Sequence, residues 1–343
     1  MGGLWSRDAA EGEPDHGEGC SDEDGGVLLH GGNIVRKPLE SDMKPQQNGV
    51  ECRICSMRSK RAFDTLIVEG GSLRCAFTAG VLDTFAVVGY NRFKRYFAVS
   101  AGTMALTSFL AGQRKHFIDV ASHMVEDGQF IRFSSAFSEE GLMNLAHLFD
   151  HVRRHRPLDI QAAAMATHGK DVRMVTTAYA TGKPMYLRPT QKDWLRIMWA
   201  SSTLPMVTRG KIRVREKWMF DGGISDALPL QAALDAGSRR ILVIRTRPSG
   251  DHIDKGWMDT FATYWYRDNP AIVRLYTHGH FTYNETVDRL KTGGEGRKRW
   301  EEIAPLEPLR SDGFRINAGH LLQDYHHGMA RALDWLDSAP PIR

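Results

Sequence analysis

Apolar residues follow two spacings along this chain. Short continuous runs, "TLIVE" (65–69), "YFAV" (96–99), "VRMVTTAYA" (172–180), "PMYLRP" (184–189), "KWMFDGG" (217–223) and "RRILVIRT" (239–246), read as strands. Between them the period lengthens. In 75–88, Phe77, Val81, Leu82 and Phe85 share one side of a helix, and 139–155 carries Leu142, Leu145, Leu148 and Phe149 in the same way. Helices are also expected from 101, over 116–126, 158–167 and 226–236, and after the cap formed by Thr190 and Asp193. Strands alternating with helices predict a mostly parallel central sheet with helices on both faces.

Residues 1–60 break this pattern. They are rich in Gly, Asp, Glu and Ser, bury too little apolar surface to offset the entropy of ordering, and are expected to form a disordered acidic tail. The folded core is expected over 61–250, and 251–343 as a helical extension packed on it. Within the tail, "MGGLWS" fits the pattern for myristoylation at Gly2. "CRIC" (Cys52, Cys55) has zinc-like spacing but no second pair, since Cys20 and Cys75 are badly placed, and it reads as two thiols in a flexible segment.

Charge sharpens the division. The first 50 residues hold four basic and ten acidic side chains; the other 41 basic and 31 acidic residues make the body positive by ten. A basic body suits an anionic partner, phospholipid or nucleic acid. Its basic residues are dispersed and no helix-turn-helix or zinc-finger spacing occurs, which argues against nucleic acid. No apolar run approaches the ~18 residues of a membrane span, and the N-terminus lacks a secretory pattern. A cytoplasmic protein is expected, meeting the inner face of a membrane at its surface. Trp257, Phe261, Tyr264, Trp265 and Tyr266 offer an interfacial patch, with helix packing onto the sheet as the alternative.

Three places carry candidate chemistry. In "AVSAG" (98–102) the strand ends abruptly at Ser100 and a helix begins, with small neighbours Ala98 and Gly102. A sharp strand-to-helix turn can present a nucleophilic hydroxyl, but Ser is also an ordinary helix cap. "EGGSLR" (69–74) supplies free backbone N–H groups before a helix, suited to a developing oxyanion; a phosphate-binding or purely structural turn competes. In "FDGG" (220–223), Asp221 can serve as a base if burial raises its pKa, whereas an Asp-Gly turn needs no chemistry.

The succession "VEGGSLRCAFTAGVLD" (68–83), "VSAGT" (99–103), "ASSTLP" (200–205) and "DGGISDALP" (221–229) resembles the bacterial patatin-like phospholipases, from about residue 63 to the C-terminus. The resemblance implies a three-layer α/β/α sandwich, a lipid substrate, and a serine acyl hydrolase of phospholipase, lysophospholipase or esterase type; no cofactor is expected, and with no H-E-x-x-H and no Cys/His cluster beyond the isolated CxxC nothing in the sequence suggests a metal. The resemblance also implies a dyad of Ser100 as nucleophile and Asp221 as base. The N–H groups of Gly70, Gly71 and Ser72 would form the oxyanion hole beside Arg74, for which a surface ion pair is the plain alternative. Gly102 would permit the tight elbow, with Gly222, Gly223 and Pro229 supporting the loop of the base. Three positions depart from the pattern: Ala98 replaces the first glycine of the elbow, Ser72 replaces the third glycine of the turn, and Cys75 stands where a glycine often follows the arginine. If position 72 needs positive φ, its side chain costs about 1 kcal/mol or more. Two other readings stand beside the dyad. One is an α/β-hydrolase triad completed by His320 or His326; the other is a lipid-surface binding protein with little or no catalysis.

Overall fold

A computed structural model describes residues 62–130, 143–205, 207–208, 210–312 and 316–338. The tail with Gly2, Cys20, Cys52 and Cys55, Leu142, and the side chain of Trp257 lie outside the described residues. The chain opens with β1 (Thr65–Val68), a 3-10 turn (Ser72–Arg74), α1 (Cys75–Val88), β2 (Arg95–Val99), α2 (Ala101–Leu110), α3 (His116–Glu126), α4 (Leu145–Arg154) and α5 (Ile160–Ala166). Next come β3 (Asp171–Ala178), β4 (Pro184–Leu187), α6 (Trp194–Ser201), β5 (Ile212–Val214), β6 (Lys217–Asp221), α7 (Gly223–Asp226) and α8 (Leu230–Asp235). The last part holds β7 (Arg240–Ile244), α9 (Trp257–Trp265), α10 (Pro270–Lys291), β8 (Gly294–Glu295), β9 (Lys298–Ile303) and α11 (Ala318–Asp337).

The strands form one mixed sheet in the order β5-β6-β3-β2-β1-β7-β9-β8, with β4 also paired to β3. The five central strands, β3 to β9, are parallel. The outer pairings are antiparallel. β1 is buried along its whole length because it is covered on both faces, which is why its sequence is a continuous apolar run. Its side chains divide by period two. Leu66 and Val68 join a core with α1, α2 and α11, while Ile67 joins a second core with α8 and α10. These two cores make the fold a three-layer α/β/α sandwich.

The described residues all belong to one compact unit, 50–343. Residues 251–343, read from sequence as helical, also supply β9, which extends the sheet parallel to β7. "KRWEEI" hides this strand, because only Trp300 and Ile303 are buried among four charged residues, one of which, Glu302, turns inward to meet Arg245. α11 crosses α1 at backbone contact. A Cβ added at Gly80 would lie 1.9 Å from the Tyr325 carbonyl oxygen, and one at Gly328 would lie 2.0 Å from that of Phe77. Either methyl would have to force the helices apart.

Candidate active site

Strand register brings the site together. Val99 pairs with Val175 on β3, so Ser100 stands level with Thr176; Asp221 pairs with Thr176 from β6 on the other side. β3 therefore lies between the two residues, and their side chains reach toward each other over it. The Ser100 Oγ donates to Asp221 Oδ2 at 2.6 Å. β6 runs antiparallel to β3, so Asp221 enters from the loop side of the sheet rather than leaving it there.

Ser100 sits at φ 52°, ψ −134°, a backbone position costly for any residue with a Cβ, on the order of 1–3 kcal/mol. Its hydroxyl does not cap α2. Thr103 instead donates to the Ser100 carbonyl from its amide (2.9 Å) and its hydroxyl (2.6 Å). The Ser100 amide donates to Ser201 Oγ at 2.9 Å, and Ser201 donates onward to the Val175 carbonyl at 2.6 Å. The turn is thus fixed by its neighbours, which leaves the hydroxyl to Asp221. Gly102 is required by close approach: a Cβ there would stand 2.8 Å from the Glu69 carbonyl oxygen. Ala98 is wholly buried in β2 between Val68 and Met174, where a methyl fits.

Asp221 is 1% exposed, and burial pushes its carboxyl up to about 7 against the pull of its hydrogen bonds from Ser100 and the Gly223 amide. The Gly223 amide meets Oδ1 at 2.7 Å, so one oxygen makes the Asp-Gly turn while the other meets the serine. A Cβ at Gly222 would lie 2.3 Å from the Val175 carbonyl oxygen, and Pro229 precedes α8 as its first flanking residue.

Beside this pair lies the glycine turn. A Cβ on Gly70 would touch the Ser100 Cβ at 2.8 Å, so the turn passes directly over the serine. Among the described residues, the amides of Gly70, Gly71 and Ser72 donate to no protein group. Ser72 does adopt φ 52°, so the strain anticipated for its side chain is present. Arg74 makes an ion pair with Asp312 at 3.0 Å, while its buried Nε has no partner and stands where a Cβ on Gly71 would be 3.0 Å away.

Sequence reasoning missed what holds this turn. Buried Glu69 accepts from Tyr283 (2.6 Å), from the Thr246 amide (2.6 Å) and from Arg245 Nε (3.2 Å). Arg245 also donates to Glu302 at 2.7 Å. The Thr246 hydroxyl donates to the Gly70 carbonyl at 2.7 Å. The network joins the carboxyl ends of β1 and β7, where the chain changes direction across the sheet and open α/β folds place their ligands. A cation ending the apolar run "RRILVIRT" was the available signal.

Neither proposed triad histidine meets the pair. His320 and His326 lie on α11; His320 Nδ1 is buried without a partner and His326 packs its ring on Tyr325. Among the described residues, no helix is long and apolar enough to cross a membrane, and no cluster of His, Cys, Asp or Glu is placed to hold a metal. Burial raises the Cys75 thiol to about 12, which makes it an inert core residue.

A three-layer sandwich with a hydroxyl–carboxylate pair beneath a glycine turn is what the fold and cleft define. The Patatin-like phospholipase family model matches residues 66–234. The chain is 30% identical over 266 residues to the uncharacterized protein YjjU of Escherichia coli (strain K12), covering 77% of this chain and 74% of that one. It therefore belongs to the patatin-like phospholipase family, and membership supports lipid hydrolase function in general. The crystal structure of VipD from Legionella pneumophila aligns with a TM-score of 0.44 at 10% identity, covering 81% of this chain and 67% of that one.

Proposed function

We propose that the protein is a serine acyl hydrolase that cleaves lipid esters through a Ser100–Asp221 dyad and an acyl-enzyme. The 2.6 Å bond from Ser100 to a buried carboxylate whose pKa is about 7 carries this reading. Ionised Asp221 takes the hydroxyl proton as Oγ bonds to the ester carbonyl carbon. The carbonyl electron pair moves onto oxygen and is met by the amides of Gly70, Gly71 and Ser72, with the Arg74 cation close by. When that pair returns, the bond to the alcohol breaks and Asp221 returns the proton to the leaving oxygen. Water then adds to the acyl-enzyme, gives its proton to Asp221, and displaces Oγ. The serine recovers its proton as the carboxylic acid leaves.

The substrate's phase supports contact with a lipid surface. Phe261, Tyr264 and Trp265 on α9 are 41%, 67% and 52% exposed, with Arg267 over the Tyr264 ring. Asp259 of the same helix lines the cavity above Ser100, and the three aromatics lie on the outward side of α9. Tyr266 turns inward instead, packing on Phe220.

Labelling with a small alkyl fluorophosphonate and mapping of the modified peptide tests the chemistry. An adduct on Ser100 that is lost in Asp221→Asn is expected; folded protein that stays unlabelled in the presence of vesicles would sink the proposal.

A further inference from the structure

Ser100 stands at the junction of two cavities, one carrying charged side chains among apolar ones and the other carrying none. One is open, about 550 Å³, and extends under α10. Arg74, Asp226, Arg247, Asp254, Asp259 and Asp312 all line it. The other is a slot of about 60 Å³ between the start of α2, α3 and α4. Met104, Phe117, Val120, Met124 and Leu145 form its walls, each 7% exposed or less, and no ionisable side chain lines it. Ser72, Leu73, Met143 and Leu204 border both spaces, so a carbonyl carbon on Ser100 has one substituent on each side.

The two sides are not interchangeable. An alkyl chain lying in the open cavity would strip water from exposed carboxylates such as Asp254 without replacing their hydrogen bonds, whereas the slot has only the hydroxyls of Ser72, Ser202 and Thr208 beside Ser100, and the last two already donate to backbone carbonyls. A polar leaving group has the reverse preference. Resting on the hydrolase reading above, we infer that the acyl chain enters the slot and the alcohol portion of the ester enters the open cavity. Met104 and Met124 then set the acyl length.

The slot's size makes this quantitative. An apolar cavity of ~150 Å³ takes the six carbons of benzene, so about 60 Å³ holds roughly two to three carbons beyond the carbonyl. The preferred substrate class is accordingly esters of short acyl chains, near four carbons, on a bulky polar alcohol. The thioether side chains of Met104 and Met124 are unbranched, and cutting either to Ala lengthens the slot by about three heavy atoms.

The test is kcat/KM of the full chain on p-nitrophenyl acetate, butyrate, octanoate and dodecanoate, for the parent, Met124→Ala and Met104→Ala. In the parent the value rises about four-fold per methylene, the ~0.8 kcal/mol of a buried CH₂, up to about four carbons, and then falls. Each Ala variant moves the optimum about three carbons longer, and Met124→Phe moves it shorter. A parent that prefers octanoate or dodecanoate, with the same profile in both Ala variants, overturns the inference. Labelling by a small alkyl fluorophosphonate separates the two levels. A labelled Ser100 with unmoved profiles rejects the slot alone, and an unlabelled Ser100 rejects the hydrolase reading together with it.

Discussion

Replacing Asp221 by Asn should make the protein more stable as it makes it inactive. The carboxyl is 1% exposed and has been moved from its ordinary 3.8 to about 7, chiefly by burial. At 1.36 kcal/mol per pH unit, ionising it inside the fold costs about 4 kcal/mol at pH 8. The folded state binds the proton more tightly than the unfolded chain. That penalty is therefore absent below about pH 4, grows as pH rises to about 7, and is constant above. Asn keeps an oxygen for the Gly223 amide and turns its NH₂ toward the Ser100 oxygen, so the variant loses the charge with little loss of packing. Urea unfolding should then give the variant an advantage approaching about 4 kcal/mol at pH 8 and less than half of that at pH 5. In the parent, kcat/KM should rise with pH along an acid limb near pH 7, since only the ionised carboxylate accepts the serine proton. A stability difference between the two proteins that does not change from pH 5 to pH 8 would refute the reasoning.

Ser100→Gly should be more stable than Ser100→Ala by about 1 kcal/mol in thermal or urea unfolding, because only glycine relaxes at φ 52°, and both variants should be inactive. Thr246→Val removes the hydroxyl held against the Gly70 carbonyl and should lower kcat about ten-fold with KM little changed. Thr246→Ser should restore it, and a fall in stability with kcat intact would assign the residue to the scaffold alone. The pair Phe261→Ala and Trp265→Ala should weaken binding to phosphatidylglycerol vesicles several-fold while turnover of a soluble ester persists; unchanged sedimentation with vesicles would remove α9 from the membrane surface.

Much of the architecture was legible because it rests on local pattern. "TLIV" is apolar at every position since a central parallel strand is covered twice, and the spacing of Phe77, Val81, Leu82 and Phe85 reports one helix side lying on a core. β9 was not legible, because a strand with two buried positions among four exposed or half-buried ones carries no such signature. The contact of α1 with α11 was equally hidden: Gly80 and Gly328 are unremarkable in sequence, and only their meeting across nearly 250 positions shows that neither can carry a side chain.

The candidate site divides in the same way. By itself the sequence determined which groups could do chemistry: Ser100 at an abrupt strand end, Asp221 before two glycines, and a glycine turn with amides to spare. It left each of them an ordinary alternative, since a cap, an Asp-Gly turn and an ion pair use the same residues. Tertiary structure adds that Ser100 and Asp221 stand on either side of β3, that the Ser100 hydroxyl meets Asp221 instead of capping α2, and that burial raises the carboxylate toward neutrality, while the Asp-Gly turn and the Arg74 ion pair are both present. It also supplied what no local motif encodes: the hold of Glu69 and Thr246 on the turn, and the apolar slot opening from the serine. Residue identity fixes what a group can donate or accept. Its partner, its desolvation and its reach depend on segments more than a hundred positions away, and only the folded sheet sets those.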